Sequence, residues 1–221
     1  MSKASIHGLY AIADTRTIAP GELPYRVAAA IVGGARIVQY RQKGSGATRP
    51  HNEVRDLLAA CRRLHTPLII NDDVELAATL RADGIHLGRD DTDPSAARAR
   101  LGGRAIIGVS CYDDLDRALE AQAAGADYVA FGSFFASKTK PEAVRAPIEL
   151  LQRARNRLNI PLVAIGGITA HNAARLLAAG ADAIAVIGGI FTEDDPCAAA
   201  RRYSALFATP GKHLASAATD T

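Results

Sequence analysis

The chain holds 221 residues, 48% hydrophobic and 22% charged, which suits a soluble globular protein of α/β-barrel size with a sizeable core. A net charge of only +3, 5% aromatics and no Trp speak against a nucleic-acid partner, which would need stacking rings beside its cations. No run approaches the roughly 18 apolar residues of a membrane span, and the N-terminus lacks a signal-like apolar region. Cys61, Cys111 and Cys197 form no C-x-x-C pair, so the reading is a cytoplasmic protein with reduced, mostly buried thiols.

Along the chain, short apolar runs alternate with Ala-, Leu- and Arg-rich stretches of helical period. Strand 9–13 precedes helix 25–32, strand 37–41 precedes 53–64, strand 68–71 precedes 74–81, and strand 84–86 precedes 94–101. Strands 106–110, 128–131, 162–165 and 183–186 precede helices 115–123, 147–157, 170–178 and 198–207. Eight parallel strands with eight crossover helices predict a (β/α)8 TIM barrel filling residues 1–208 as a single domain. Ala124-Gly125-Ala126-Asp127 recurs as Ala179-Gly180-Ala181-Asp182, read as a helix stop and nothing more. Residues 209–221 are small, polar and aperiodic, which predicts a disordered tail.

In such a barrel, polar residues just after each strand build the active site. Alternation in the second strand aims Gln39, Arg41 and Lys43 at the interior, where an unpaired charge costs several kcal/mol, so an anion is expected there. Asp72-Asp73 and Asp90-Asp91 end neighbouring strands and can share a hard cation. Mg²⁺ takes one or two carboxylates and fills its other positions with water and phosphate oxygens. Asp73 and Asp93 suit helix N-caps, leaving Asp72 and Asp91 for the metal. Gly166-Gly167 and Gly188-Gly189 match a barrel's phosphate cradle. The loop with Ser137, Lys138, Thr139 and Lys140 offers hydroxyls and ammonium groups to a second phosphate. His86 is read as a hydrogen-bonded core residue rather than a general base. Two phosphorylated small-molecule substrates are implied.

The set Gln39-Tyr40-Arg41-Gln42-Lys43, Ile70-Asn71-Asp72-Asp73-Val74-Glu75-Leu76-Ala77, Asp83-Gly84-Ile85-His86-Leu87-Gly88, Gly108-Val109-Ser110, Thr139-Lys140 and Ile165-Gly166-Gly167-Ile168 resembles the thiamine phosphate synthase family from first strand to last. That resemblance implies condensation of hydroxymethylpyrimidine diphosphate with hydroxyethylthiazole phosphate, giving thiamine phosphate and diphosphate by a dissociative, Mg²⁺-assisted route. It implies that Arg41, Lys43, Ser110 and Lys140 are catalytic and that Asp72 and Asp91 hold the metal. Gln39, Tyr40, Arg41, Gln42, Lys43 and Asn71 would bind the pyrimidine diphosphate, with Ser110 and Lys140 reaching the pyrimidine substrate. Ser137, Lys138 and Thr139 would line the thiazole phosphate side, and Gly167, Ile187 and Gly188 would cradle its phosphate. The chain departs from the family with Arg89 for Gln, Ser133 and Ala136 for Pro, Ser137 for Thr and Gly188 for Ser, which predicts a less rigid loop after the sixth strand. Two alternatives stay open: a thiazole tautomerase, which needs neither diphosphate nor metal, and a non-catalytic thiazole phosphate-binding barrel. A homo-oligomer is compatible with the sequence.

Overall fold

The structure, a computed structural model, describes residues 5–43, 51–136 and 144–208. Its strands are β1 (Gly8–Asp14), β2 (Ala35–Arg41), β3 (Leu68–Asn71), β4 (Gly84–Leu87), β5 (Ile106–Tyr112), β6 (Tyr128–Phe131), β7 (Leu162–Ile165) and β8 (Ala183–Val186). They pair in chain order, all parallel, and β8 closes on β1, which gives the expected barrel. The crossovers carry α1 (Leu23–Val32), α2 (His51–Arg63), α3 (Val74–Leu80), α4 (Pro94–Leu101), α5 (Leu115–Ala123), α6 (Glu149–Arg155) and α7 (Ala173–Ala178). After β8 come α8 (Gly188–Phe191) and α9 (Pro196–Ala208). Among the described residues no helix is long and apolar enough to cross a membrane.

The short α8 was not legible, because its paired glycines break any helical period. It is held from outside: Arg26 Nη2 on α1 donates to the carbonyls of Phe191 (3.1 Å) and Glu193 (2.6 Å), while Ile190 and Phe191 are buried beneath. Strand alternation sorts the core into two layers. Leu9, Ala11, Ala13, Val38 and Tyr40 face the helices, whereas Tyr10, Ile12, Ile37, Ile69, Tyr128 and Val163 fill the barrel. The Tyr128 ring fits inside only because β5 carries Gly108 opposite it; a Cβ there would lie 1.9 Å from Tyr128 Cζ.

The recurring Ala-Gly-Ala-Asp is more than a helix stop. Gly125 and Gly180 do take the left-handed conformation (φ 89° and 109°), but the aspartates stitch strand pairs together at the barrel floor. Asp127 Oδ2 accepts from Ile107 N (2.8 Å) and Arg98 Nη2 (2.6 Å), and Asp182 Oδ2 accepts from Leu162 N (2.7 Å) and Arg155 Nη2. Asp83, just before β4, does the same for Leu68 N (2.9 Å). Each carboxylate therefore joins one even strand to the strand before it.

The segment 209–221, read as a tail, and the loop residues Ser137, Lys138, Thr139 and Lys140 lie outside the described residues.

Candidate active site

A cavity of about 500 Å³ opens at the C-terminal end of the barrel, lined by the inward ends of the strands and the loops that follow. On β2 the period of two sends Gln39 and Arg41 inward, both buried, and Lys43 follows at the rim. The expected unpaired charge is corrected here, because β1 runs on to Asp14, whose fully buried carboxylate meets the Arg41 guanidinium. Asp14 also accepts from Arg16 N (3.0 Å), Nε (3.0 Å) and Nη2 (2.9 Å). Burial alone would raise the Asp14 pKa, but these bonds and the two cations outweigh it and hold the carboxyl below its ordinary range.

Lys43 Nζ lies 2.6 Å from Asp72 Oδ2 and stays half exposed. Asp72 takes the left-handed backbone conformation (φ 64°), unusual outside glycine, and its N–H donates to the His86 carbonyl (2.9 Å), which turns the side chain toward β4. There it shares a hydrogen bond with Asp91, whose Oδ2 accepts from Gly88 N (2.6 Å). Burial, with Asp91 beside it, pushes the Asp72 carboxyl up against the pull of Lys43. Asp91 resists its own burial through the Asp72 and Gly88 bonds and the Lys43 charge, and is held down. Two carboxyls thus stand side by side with their affinities for a proton driven apart, a place where a divalent cation fits. Among the described residues no cluster of three or more acidic, His or Cys side chains exists, so the pair would leave a cation's other positions to water and phosphate oxygens, as suits Mg²⁺. Asn71 Nδ2 beside it is buried without a partner, a donor awaiting an acceptor. Asp73 and Asp93 cap α3 and α4, accepting from Leu76 N and Ser95 N (both 2.8 Å), as expected.

Across the floor of the cavity runs a buried chain of hydrogen bonds: Gln39 Nε2 to Tyr10 Oη (3.0 Å), Tyr10 to Tyr128 Oη (2.8 Å), Tyr128 to His86 Nδ1 (2.9 Å), and His86 Nε2 to Ser110 Oγ (2.8 Å). Burial pushes His86 down to about 4, so the ring is neutral near pH 7 and serves the core, as its sequence context suggested. Ser110 is half exposed to the cavity and sits at a register shift between β5 and β6, the kind of bulge that re-aims a strand end. Arg117 fixes it further, donating to the carbonyls of Ser110 (2.9 Å) and Gly88 (3.0 Å). Arg89 rests over the Tyr112 ring, its guanidinium carbon 4.9 Å from the ring centre. Cys111 and Cys61 are buried and pushed up to about 12, inert thiols.

The opposite wall is uncharged, with Val163, Ile165, Gly166, Ala185 and Ile187 lining it. Gly167 and Gly188 stand next to Gly166 and Ile187 in the chain. Gly166 and Gly167 have φ of 101° and 61°, and Asn172 Nδ2 donates to the Gly167 carbonyl (3.0 Å). Ser133 is pinned rather than loose: its N–H donates to Val144 O (3.3 Å), its carbonyl accepts from Ala146 N (2.9 Å) and its hydroxyl donates to Phe135 O (2.8 Å). The structure does not bring Tyr40 and Gln42 to the cavity. Tyr40 faces the helices, and its hydroxyl donates to Gln42 Oε1 (2.7 Å). Sequence reasoning missed Tyr10, Asp14 and Tyr128; the alternation Tyr10-Ile12-Asp14 was the signal for the first two.

The sequence profile of the thiamine monophosphate synthase family matches residues 9–190. A thiamine-phosphate synthase of Nitrosococcus oceani is 53% identical over 200 residues, covering 90% of this chain and 92% of that protein. One from Methylobacillus flagellatus is 54% identical over 202 residues, covering 91% and 96%. The solved thiamine phosphate pyrophosphorylase of Pyrococcus furiosus superposes with a TM-score of 0.77 at 32% identity, covering 90% of this chain and 94% of that one. On the strength of that profile and these relatives, the chain belongs to the thiamine monophosphate synthase family and is a transferase of thiamine biosynthesis.

Proposed function

We propose that the protein joins hydroxymethylpyrimidine diphosphate to hydroxyethylthiazole phosphate and releases diphosphate. The observation that carries this reading is the convergence of Lys43, Asn71 and the Asp72–Asp91 pair on one cavity wall, opposite an uncharged wall. A diphosphate held by the first wall has cations and a free amide donor to meet it. A monophosphate at the second meets main chain and apolar side chains but no charge, a milder environment suited to a group that does not leave. Both strand-end cations are paired, Arg41 with Asp14 and Lys43 with Asp72, but Lys43 is half exposed and Arg41 buried, so Lys43 is the more open to substrate and Arg41 serves through its remaining N–H groups.

The reaction is dissociative. The bond from the pyrimidine methylene to diphosphate breaks first, and the thiazole nitrogen captures the resulting cation. Negative charge grows on the departing oxygens, where Lys43, Arg41 and Asn71 are fixed in advance to stabilise it; the family resemblance assigns Lys140 to the same task. Asp72 and Asp91 would hold Mg²⁺, which when bound would supply further neutralisation of that charge. Ser110 and Gln39 orient the pyrimidine, with Ser137, Lys138 and Thr139 on the thiazole side and Gly167, Ile187 and Gly188 at its phosphate. The enzyme works in the cytoplasm on small molecules alone.

Mixing the protein with both substrates, with and without Mg²⁺, while thiamine phosphate and diphosphate are followed together, tests this. Equal, Mg²⁺-dependent appearance of both products is expected. A folded protein that makes neither would overturn the proposal and favour the tautomerase or the binding-protein alternative.

A further inference from the structure

The hydrogen-bond chain beneath the cavity has a direction. Gln39 Nε2 has only protons to give, so the Tyr10 oxygen 3.0 Å away must receive one. The Tyr10 proton is then left with Tyr128 Oη at 2.8 Å. The Tyr128 proton, in turn, is left with His86 Nδ1 at 2.9 Å, which therefore accepts. A neutral ring that accepts at Nδ1 carries its proton on Nε2, and Nε2 lies 2.8 Å from Ser110 Oγ. The serine oxygen is thus engaged as an acceptor, and its own proton turns to the cavity that Ser110 lines. Reversing one link would set two donors or two acceptors face to face. Tyr10 and Tyr128 are shut from solvent, at 1% and 0% exposure, so water cannot mend the mismatch.

We propose that Tyr10 and Tyr128 are positioning residues that carry hydrogen-bond direction from Gln39 to Ser110, so that the serine meets its substrate as a donor. At that point the site selects an acceptor atom, a ring nitrogen or an oxygen, over an amino group. The identity of the substrate rests on the function proposed above; the direction of the chain does not. Packing alone would be served equally well by Phe at both positions, whereas direction requires the hydroxyls.

The test is ¹⁵N nuclear magnetic resonance of the imidazole nitrogens in labelled full-length protein, with His86 assigned by difference from His86→Gln. The expected wild-type spectrum at neutral pH shows a single neutral tautomer, pyridine-like at Nδ1 and pyrrole-like at Nε2. A pyrrole-like Nδ1, or a doubly protonated ring, overturns the proposal without any reference to turnover. In Tyr128→Phe both tautomers appear and kcat falls about tenfold, the size of one hydrogen bond lost from the transition state. Tyr10→Phe, which keeps the Tyr128 to His86 link, moves both readings the same way by less and serves if the first variant does not fold. An unchanged tautomer in the folded variants overturns the role of the tyrosines. A wild type with the expected tautomer but no thiamine phosphate counts against the proposed function and leaves the chain standing.

Discussion

The cavity wall on β2 to β5 and the wall on β7 and β8 handle polar groups by opposite means. On the first, charge sits on side chains, and each cation is matched in advance: Arg41 with Asp14, Lys43 with Asp72. On the second, the lining side chains are apolar and uncharged, and the main chain bends through Gly166 and Gly167 so tightly that a Cβ at Gly167 would come within 2.3 Å of the Ala136 carbonyl. A charged wall can be disabled by neutralising one group, and its loss should register in rate or stability. An uncharged wall can only be blocked by adding volume, and its loss should register in binding.

The sharpest way to break this contrast is at Asp14. Asp14→Ala leaves Arg41 buried without its anion, and should lower stability by about 3–5 kcal/mol, read as a drop in the urea midpoint. A midpoint close to wild type would mean that the first wall does not depend on paired charge. Next come Asp72→Ala and Lys140→Ala, each expected to reduce turnover by roughly 10²-fold or more while the protein stays folded. Near-normal rates in both would remove the assigned roles.

Protonation probes the floor between the walls. Unfolded His86 binds a proton near 6.5, whereas burial in the folded protein delays this to about 4. Stability is therefore full above 6.5 and declines as the pH falls toward 4, by about 3 kcal/mol in all. His86→Gln should flatten that part of the stability profile, and an unaltered slope would assign it to the carboxylates instead. The smallest effect belongs to the glycine wall. In Gly166→Ala the new methyl would lie 2.0 Å from Ser133 Oγ, at a φ of 101°. KM for the thiazole phosphate should rise about tenfold with kcat little changed, as for a loss of uniform binding. A fall in kcat alone would place that phosphate elsewhere.

How far the sequence spoke depended on whether a residue's role is local. Strand ends, the caps at Asp73 and Asp93 and the convergence of Asn71 with Asp72 follow from period and position along one element. Asp14 was hidden because a polar residue closing an apolar run looks like the start of a loop, although the strand carries on through it. Tyr10 and Tyr128, 118 residues apart, meet only once the barrel closes, and Gly108 reveals its purpose only beside the ring that it admits. Tyr40, by contrast, lies within the contiguous run 39–43 read from the sequence as one substrate-binding segment, yet alternation turns it away from the cavity. Contiguity in a motif is not contiguity in space.

The aspartate stitches of the floor divide the barrel into cooperative pieces. Asp83, Asp127 and Asp182 bind β4 to β3, β6 to β5 and β8 to β7, leaving the seams between those pairs free of any such stitch among the described residues. New chain ends are therefore best tolerated at a seam such as the exposed Gly102-Gly103 turn between α4 and β5, where a circular permutant keeps every stitch within one continuous stretch. Ends introduced between α3 and β4 would separate Asp83 from Leu68 in the chain, and that permutant should assemble more slowly than the other.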